Sequence, residues 1–178
     1  PAITVKIAIM TVIREEALTD IVAIERINEQ AFGQPQEAQL VAALRAAGKI
    51  ALSLVAVVDG VVVGHALFSP VTIEGNCEGE TAVALGPIAV DPVWQGQGVG
   101  GQLVREGMVR CRERGFTAMI VLGHPTYYPR FGFVPASRFG LRSEYKVRDE
   151  VFMAQPLQAG ALSNCSGLVK YDPAFGGV

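Results

Sequence analysis

LGPIAVDPVWQGQGVGGQLV, residues 85–104, carries an apolar run into a glycine-rich turn and on into the first turns of a helical pattern. At such a junction unpaired backbone N–H groups and the positive end of a helix converge, and glycines let an anion approach the main chain without meeting a Cβ. The turn therefore predicts a phosphate-bearing ligand. Gly96-x-Gly98-x-x-Gly101 also satisfies the dinucleotide fingerprint, but its context does not. That fingerprint directly follows the first strand of a βαβ unit and is answered about 20 residues on by a carboxylate at the next strand's end. Here Asp91-Pro92-Val93-Trp94-Gln95 intervenes, three or more strands come first, and the next strand ends Val121-Leu122-Gly123-His124 without a carboxylate. A Walker loop fails as well, since the turn has no Gly-Lys-Ser/Thr.

Outward from the turn, residues 99–114 set Leu103, Val104, Met108 and Cys111 at helical spacing. Arg110, Arg112 and Arg114 fall in the last turn, where cations suit the dipole, and Gly115 ends it. A strand over 117–122 follows, so strand, helix and strand form a crossover expected to be parallel and right-handed. Upstream, residues 50–68 (IALSLVAVVDGVVVGHALF) approach the roughly 20 apolar residues of a membrane helix. Asp59-Gly60 divides that run, and the pair tolerates the positive φ of a type I′ turn, so the segment reads as two buried antiparallel strands over 50–58 and 61–73. The rest supplies a first strand over 5–13, a helix over 17–31 with Ile21, Ile24 and Ile27 on one face, and a helix over 35–47 with Leu40, Val41 and Leu44. A polar turn over 74–80 leads into a strand over 81–90. Beyond the crossover lie a tight Pro/Tyr-rich segment over 125–132, a strand start at Phe133-Val134, and strands over 151–157 and 167–171. The order β-α-α-β-β-β-α-β predicts one α/β domain over 1–178 with a mixed sheet.

Half of the 178 residues are apolar, which suffices for one sizeable core. A formal charge of −2 offers no general attraction to phosphate backbones or anionic lipid, so neither nucleic acid nor a membrane is expected as a partner. Cys77, Cys111 and Cys165 are odd in number and lack Cys-x-x-Cys or Cys/His ligand spacing. They read as reduced structural thiols, with no metal. The N-terminus shows no secretory pattern, and a cytoplasmic enzyme is the expectation.

Two motifs at their proper spacing give the chain a family resemblance. Gln95-Gly96-Gln97-Gly98-Val99-Gly100 matches the Arg/Gln-x-x-Gly-x-Gly/Ala signature of the GNAT superfamily of N-acetyltransferases. Tyr127-Tyr128-Pro129-Arg130-Phe131-Gly132-Phe133 matches that superfamily's aromatic-Tyr-x-x-x-Gly-Phe segment after the next strand. LGPIAVDP (85–92), GHPTYYPRFGFVPASRFGL (123–141), Phe152-Met153-Ala154 and the ending through Tyr171-Asp172-Pro173-Ala174-Phe175 are similar to its YhbS-like branch. The resemblance spans nearly the whole chain. It implies a mostly antiparallel central sheet, a parallel β-α-β unit at the cofactor site and a splayed strand pair.

The same resemblance implies acetyl-CoA as donor and a small-molecule or protein amine as acceptor, with a homodimer left open. Backbone near Ile88, Ala89 and Val90 is expected to pair with the pantetheine arm, and the amides of Gln97, Gly98, Val99, Gly100 and Gly101 to take the pyrophosphate beside Gln95 and Gly96. Charge-assisted bonds of about 1.5 to 3 kcal/mol each would anchor it without a cationic side chain. A backbone N–H near Val90 is expected to stabilise the oxyanion. Tyr128 matches the family's general acid. The strand over 83–90 carries no glutamate base, which leaves Glu37, Glu144 and Glu150 as candidates, and His124 takes no role from the family. Cys111 lies within a helix without a basic partner, against a covalent route. A second reading, an acyl-CoA-binding module or sensor without catalysis, is favoured by the missing base and opposed by Tyr128.

Overall fold

The computed structural model of the protein describes residues 10–178. The strand expected over 5–13 falls largely outside them, and within them the chain opens on β1 (Val12–Glu15). A short 3-10 turn precedes α1 (Ile21–Phe32), so that helix starts later than its apolar spacing suggested. Asp20 explains the delay. Its carboxylate accepts the Ala17 N–H at 2.7 Å and pairs with Arg14 at 2.7 Å instead of capping the helix. After α2 (Gln36–Ala46) come β2 (Leu52–Val58) and β3 (Val61–Asn76), joined through Asp59 and Gly60. Both turn residues have positive φ, 48° and 77°, as a type I′ turn requires.

Successive side chains of β2 point to opposite faces of the sheet, and both faces are covered. Leu54, Ala56 and Val58 pack in the cluster beneath α3 (Val99–Glu113). Val55 packs on the other side with Ile24 and Ile27 of α1 and Leu44 of α2. This is why residues 50–68 read as unbroken hydrophobicity, and no helix among the described residues is long and apolar enough to cross a membrane.

One polar chain crosses this apolar layer. Asn28 Nδ2 donates to the Ile24 carbonyl at 2.9 Å and meets His65 Nδ1 at 3.1 Å. His65 Nε2 lies 3.0 Å from Ser53 Oγ, which donates to Glu16 at 2.6 Å, and Arg45 pairs with Glu16. The Ile24 carbonyl fixes the Asn28 amide with its nitrogen toward the ring. Nδ1 must therefore accept, and the neutral Nε2–H tautomer satisfies every link.

β4 (Ala82–Val90) runs antiparallel to β3, and α3 then carries the chain to β5 (Ala118–Leu122), parallel to β4. β5 pairs on its far side with β8 (Phe152–Pro156), which also holds the two-residue β6 (Val134–Pro135). The last five residues of β3, Thr72–Asn76, leave this sheet to pair with β9 (Ser166–Lys170), which runs parallel to β7 (Leu141–Ser143). The polar turn expected over 74–80 is thereby shortened, because Glu74, Gly75 and Asn76 belong to the ladder. The same pairing corrects the reading of the cysteines. Cys77 directly follows β3 and Cys165 directly precedes β9, so their Cα atoms come within 4.4 Å and they form a disulfide. Only Cys111 is a free thiol.

Candidate active site

The parallel ladder between β4 and β5 is short. It runs from Ala82 opposite Ala118 to Leu85 opposite Val121 and stops at Gly86-Pro87, where proline has no N–H to offer. Beyond that point β4 stays with β3 alone, and its other edge faces a gap. The Asp91 N–H donates to the Val63 carbonyl at 2.9 Å, and His65 stands opposite Ala89 in the same register. Antiparallel alternation then turns the backbone of Ala89 toward β3 and that of Ile88 and Val90 toward the gap. Of the three residues expected to meet an extended ligand arm, Ile88 and Val90 turn their backbone groups to the gap, and Ala89 turns its own to β3.

At the end of this edge the chain passes through a 3-10 turn at Pro92–Trp94 into the glycine segment. Gln95 Nε2 donates to the Val90 carbonyl at 3.0 Å and Gln97 Nε2 to the Val93 carbonyl at 3.2 Å. Both side chains thus brace the loop. Gly98 is the N-cap of α3 in the left-handed region, φ 85°, and no atom lies within 4 Å of where its Cβ would stand. The first amides of α3 follow, with no carbonyl of their own helix to bind.

A cavity of about 430 Å³ opens over this turn, lined by Val90, Trp94 and the glycines together with Arg105, Tyr127 and Arg130. The two arginines are a finding beyond the sequence reading, which supplied the anion with backbone amides alone. Arg105 stands one helical turn past Gly101 and its guanidinium lies 5.0 Å from the centre of the Phe131 ring. Arg130 lies 4.6 Å over Tyr127. Aromatic rings thus hold two cations beside a helix N-terminus, a setting suited to a polyphosphate. Helical spacing from Gly101 was the available signal for Arg105. Arg130 needed the fold.

Tyr127 and Tyr128 face different spaces. The His124 carbonyl accepts the N–H of Tyr127 at 3.1 Å and opens a turn that continues as a 3-10 helix over Tyr128–Phe131. The rings of the two tyrosines meet edge to face at 5.0 Å, Tyr127 toward the glycine turn and Tyr128 toward a second cavity of about 600 Å³. Gly123 permits this seat, since a Cβ there would come within 2.2 Å of the Tyr128 ring. Burial first, and the neighbouring Tyr127 second, push the Tyr128 hydroxyl up to about 12.

Leu85, Gly86 and Ile88 form one wall of the second cavity, so it opens onto the gap in the ladder. Among the three candidate carboxylates, Glu37 lines it. Glu144 is engaged elsewhere, by Lys170 at 3.0 Å and the Tyr171 N–H at 2.6 Å, and Glu150 pairs with Arg148 at 3.1 Å. His124 lines the cavity and Cys111 does not. Burial raises the Cys111 thiol to about 12, which removes the thiolate that a covalent route would need.

This arrangement has known counterparts. Residues 18–133 match the model of the Acetyltransferase (GNAT) family. An uncharacterised N-acetyltransferase of Escherichia coli, YhbS, is 38% identical over 164 residues, 92% of this chain and 97% of its own length. The crystal structure of E. coli YhbS in complex with CoA matches with a TM-score of 0.88 at 37% identity, covering 95% of this chain and 93% of that one. A GNAT family acetyltransferase from Brucella melitensis, solved in complex with acetyl-CoA, matches with a TM-score of 0.76 at 36% identity, covering 93% and 98%. With a family match over most of its length and a relative at this identity, the chain belongs to the GNAT acetyltransferase family.

Proposed function

We propose that the protein transfers an acetyl group from acetyl-CoA to the primary amine of a small molecule by direct attack. The observation that carries this reading is the interrupted β4–β5 ladder, whose unpaired edge ends over the glycine turn and the N-terminus of α3. The donor supplies a thioester: the amine nitrogen bonds to the acetyl carbon, the C–S bond breaks, sulfur keeps the electron pair and is protonated, and the amine gives up one proton. The amides of Gln97 to Gly101, with Arg105 and Arg130, hold the pyrophosphate. Ile88 and Val90 offer backbone partners to the pantetheine arm, and the Val90 N–H steadies the oxyanion. No step uses Cys111 or a metal.

Tyr128 serves the leaving sulfur as a hydrogen-bond donor. A hydroxyl at about 12 facing an ordinary thiol at about 8.5 makes complete proton transfer uphill by about 5 kcal/mol, so the phenol keeps its proton while stabilising the developing charge. We assign residues 1–178 to one domain and the cytoplasm to the protein, where acetyl-CoA is available.

Acetyl-CoA, and not NAD or ATP, should raise the melting temperature, and amines should release free CoA thiol from it. Tyr128→Phe keeps the ring and removes the donor. It should leave acetyl-CoA protection intact while kcat and kcat/KM fall together by about 100-fold, the lower end for such groups. Unchanged kcat with chemistry rate-limiting would return Tyr128 to a packing role. Protection by acetyl-CoA without thiol release from any amine would favour a binding module instead.

A further inference from the structure

The second cavity differs from the first in what covers its walls. Of the eleven exposed large apolar side chains among the described residues, four, Phe32, Leu122, Val147 and Val178, line this one space. Three more aromatic rings continue the wall as a ladder, Tyr145 to Tyr171 at 5.5 Å and Tyr171 to Phe175 at 5.3 Å. Apolar surface gathered in one concave place marks a site that is covered when occupied. Against this wall stands a single formally charged side chain, Glu37 in the first turn of α2. Its two carboxylate oxygens accept from Gln34 Nε2 at 2.9 and 3.1 Å, so the anion is held in place by its own loop. Gly33, in the left-handed region at φ 69°, ends α1 and turns the chain so that Phe32 and Glu37 reach the same cavity.

We propose that the acceptor is a primary amine carried on a flat, ring-sized apolar body, its ammonium received by Glu37 and releasing one proton to solvent before the neutral nitrogen attacks, and its body received by Phe32, Tyr145, Tyr171 and Phe175. This rests on the acetyl-transfer reading and narrows it. A cavity of about 600 Å³ takes a molecule of drug-like size, not a folded protein surface. A polyamine would bring several cations to a wall with one formally charged side chain.

The test uses 2-phenylethylamine, spermidine, ethanolamine and a lysine-containing peptide as probes, read both by thiol release and by calorimetric binding to the CoA-loaded protein. We expect 2-phenylethylamine to exceed each of the others at least tenfold in kcat/KM and in affinity. Glu37→Gln should raise its KM about tenfold and leave the KM of acetyl-CoA unchanged. Phe32→Ala should erase the preference for the phenyl body over ethanolamine. Preference for spermidine or the peptide, or undiminished amine binding in a Glu37→Gln protein that acetyl-CoA still protects, overturns the proposal. Loss of acetyl-CoA protection in the unaltered protein would instead strike the acetyl-transfer reading, and calorimetry with no bound 2-phenylethylamine alongside intact protection strikes this inference alone.

Discussion

The sheet is closed on one side and open on the other, and its polar groups differ accordingly. Where β2 and β3 pack beneath α1 and α2, the chain Asn28, His65, Ser53, Glu16 and Arg45 joins two strands, the residue that follows β1 and two helices through successive hydrogen bonds. Where β4 parts from β5, the backbone of Ile88 and Val90, the phenol of Tyr128 and the carboxylate of Glu37 face space. A buried polar group left unpaired costs about 1 to 3 kcal/mol, so the first region stays polar through the links along its chain, and Asn28 Oδ1, buried without a partner, carries that cost. The second keeps its groups next to cavities, where solvent or a ligand can pair them. Histidine in this fold therefore signals architecture at position 65, and at position 124 it borders the site.

The largest expected effect concerns what fastens the open side. The Cys77–Cys165 bridge closes a loop of sequence separation 88 and ties the end of β3 to the start of β9, the strand that leads into Tyr171. Loop-closure entropy for such a span is about 4 kcal/mol, or roughly 10 °C in melting temperature for a domain of this size. Reductant should lower the melting temperature by that amount, and Cys77→Ser should match the reduced protein and respond no further. Three titratable thiols in the native unreduced protein, with no response to reductant, would show that the two cysteines are not bridged. Reduction should leave the acid response of the closed region as it was.

That acid response is the next effect in size. Burial, outweighing the attraction of Glu16, lowers His65 from 6.5 to about 4. The unfolded chain then binds the proton first, so stability is complete above pH 6.5 and is lost as pH falls toward 4, by about 3 kcal/mol. Charging the ring would also set an N–H at Nδ1 against the Asn28 amide. Glu16 acts in a lower window: burial pushes it up, Arg45 and Ser53 more than offset that, and its contribution is lost only below its ordinary 4.5. Denaturant melts of His65→Gln between pH 7 and 4 should be flatter than the wild type by about 3 kcal/mol. Parallel curves for the two proteins would separate the relay from acid stability.

The contrast between the regions also sets what the sequence made legible. Local chemistry was readable: Asp59-Gly60 fixed a turn, Ile24, Ile27 and Leu44 fixed helix faces, and the two motifs fixed the family. Contacts that depend on which strands become neighbours were not. Cys77 and Cys165 look unrelated until β9 docks on the end of β3, and β7 is too short to show a period. Arg130 comes beside the glycine turn, over the Tyr127 ring, through the fold of a distant segment. Ser53, His65 and Glu16 sit in separate strand-like or connecting segments with nothing to announce that they share hydrogen bonds. Ala89 shows the reverse case, a residue inside a stretch expected to meet the ligand whose backbone the register assigns to β3.

The smallest effect tests the open side at its anion end. Gly98 combines a left-handed φ of 85° with empty space where a Cβ would stand, so backbone strain and ligand crowding need separating. Gly98→Ala and Gly98→Leu both pay the left-handed penalty of about 1 to 2 kcal/mol, which should lower the melting temperature of the two unliganded variants by a similar few degrees. Only leucine extends into the space over the turn. If the phosphates of acetyl-CoA lie there, the alanine variant keeps most of the ligand's protective effect and the leucine variant binds about tenfold more weakly. Arg105→Gln, which leaves the turn intact and removes one cation, should weaken acetyl-CoA by a similar factor, with the loss growing smaller as salt rises and screens the remaining charge. Equal protection of the alanine and leucine variants by acetyl-CoA would place its phosphates away from Gly98 and leave the glycine there for the turn alone.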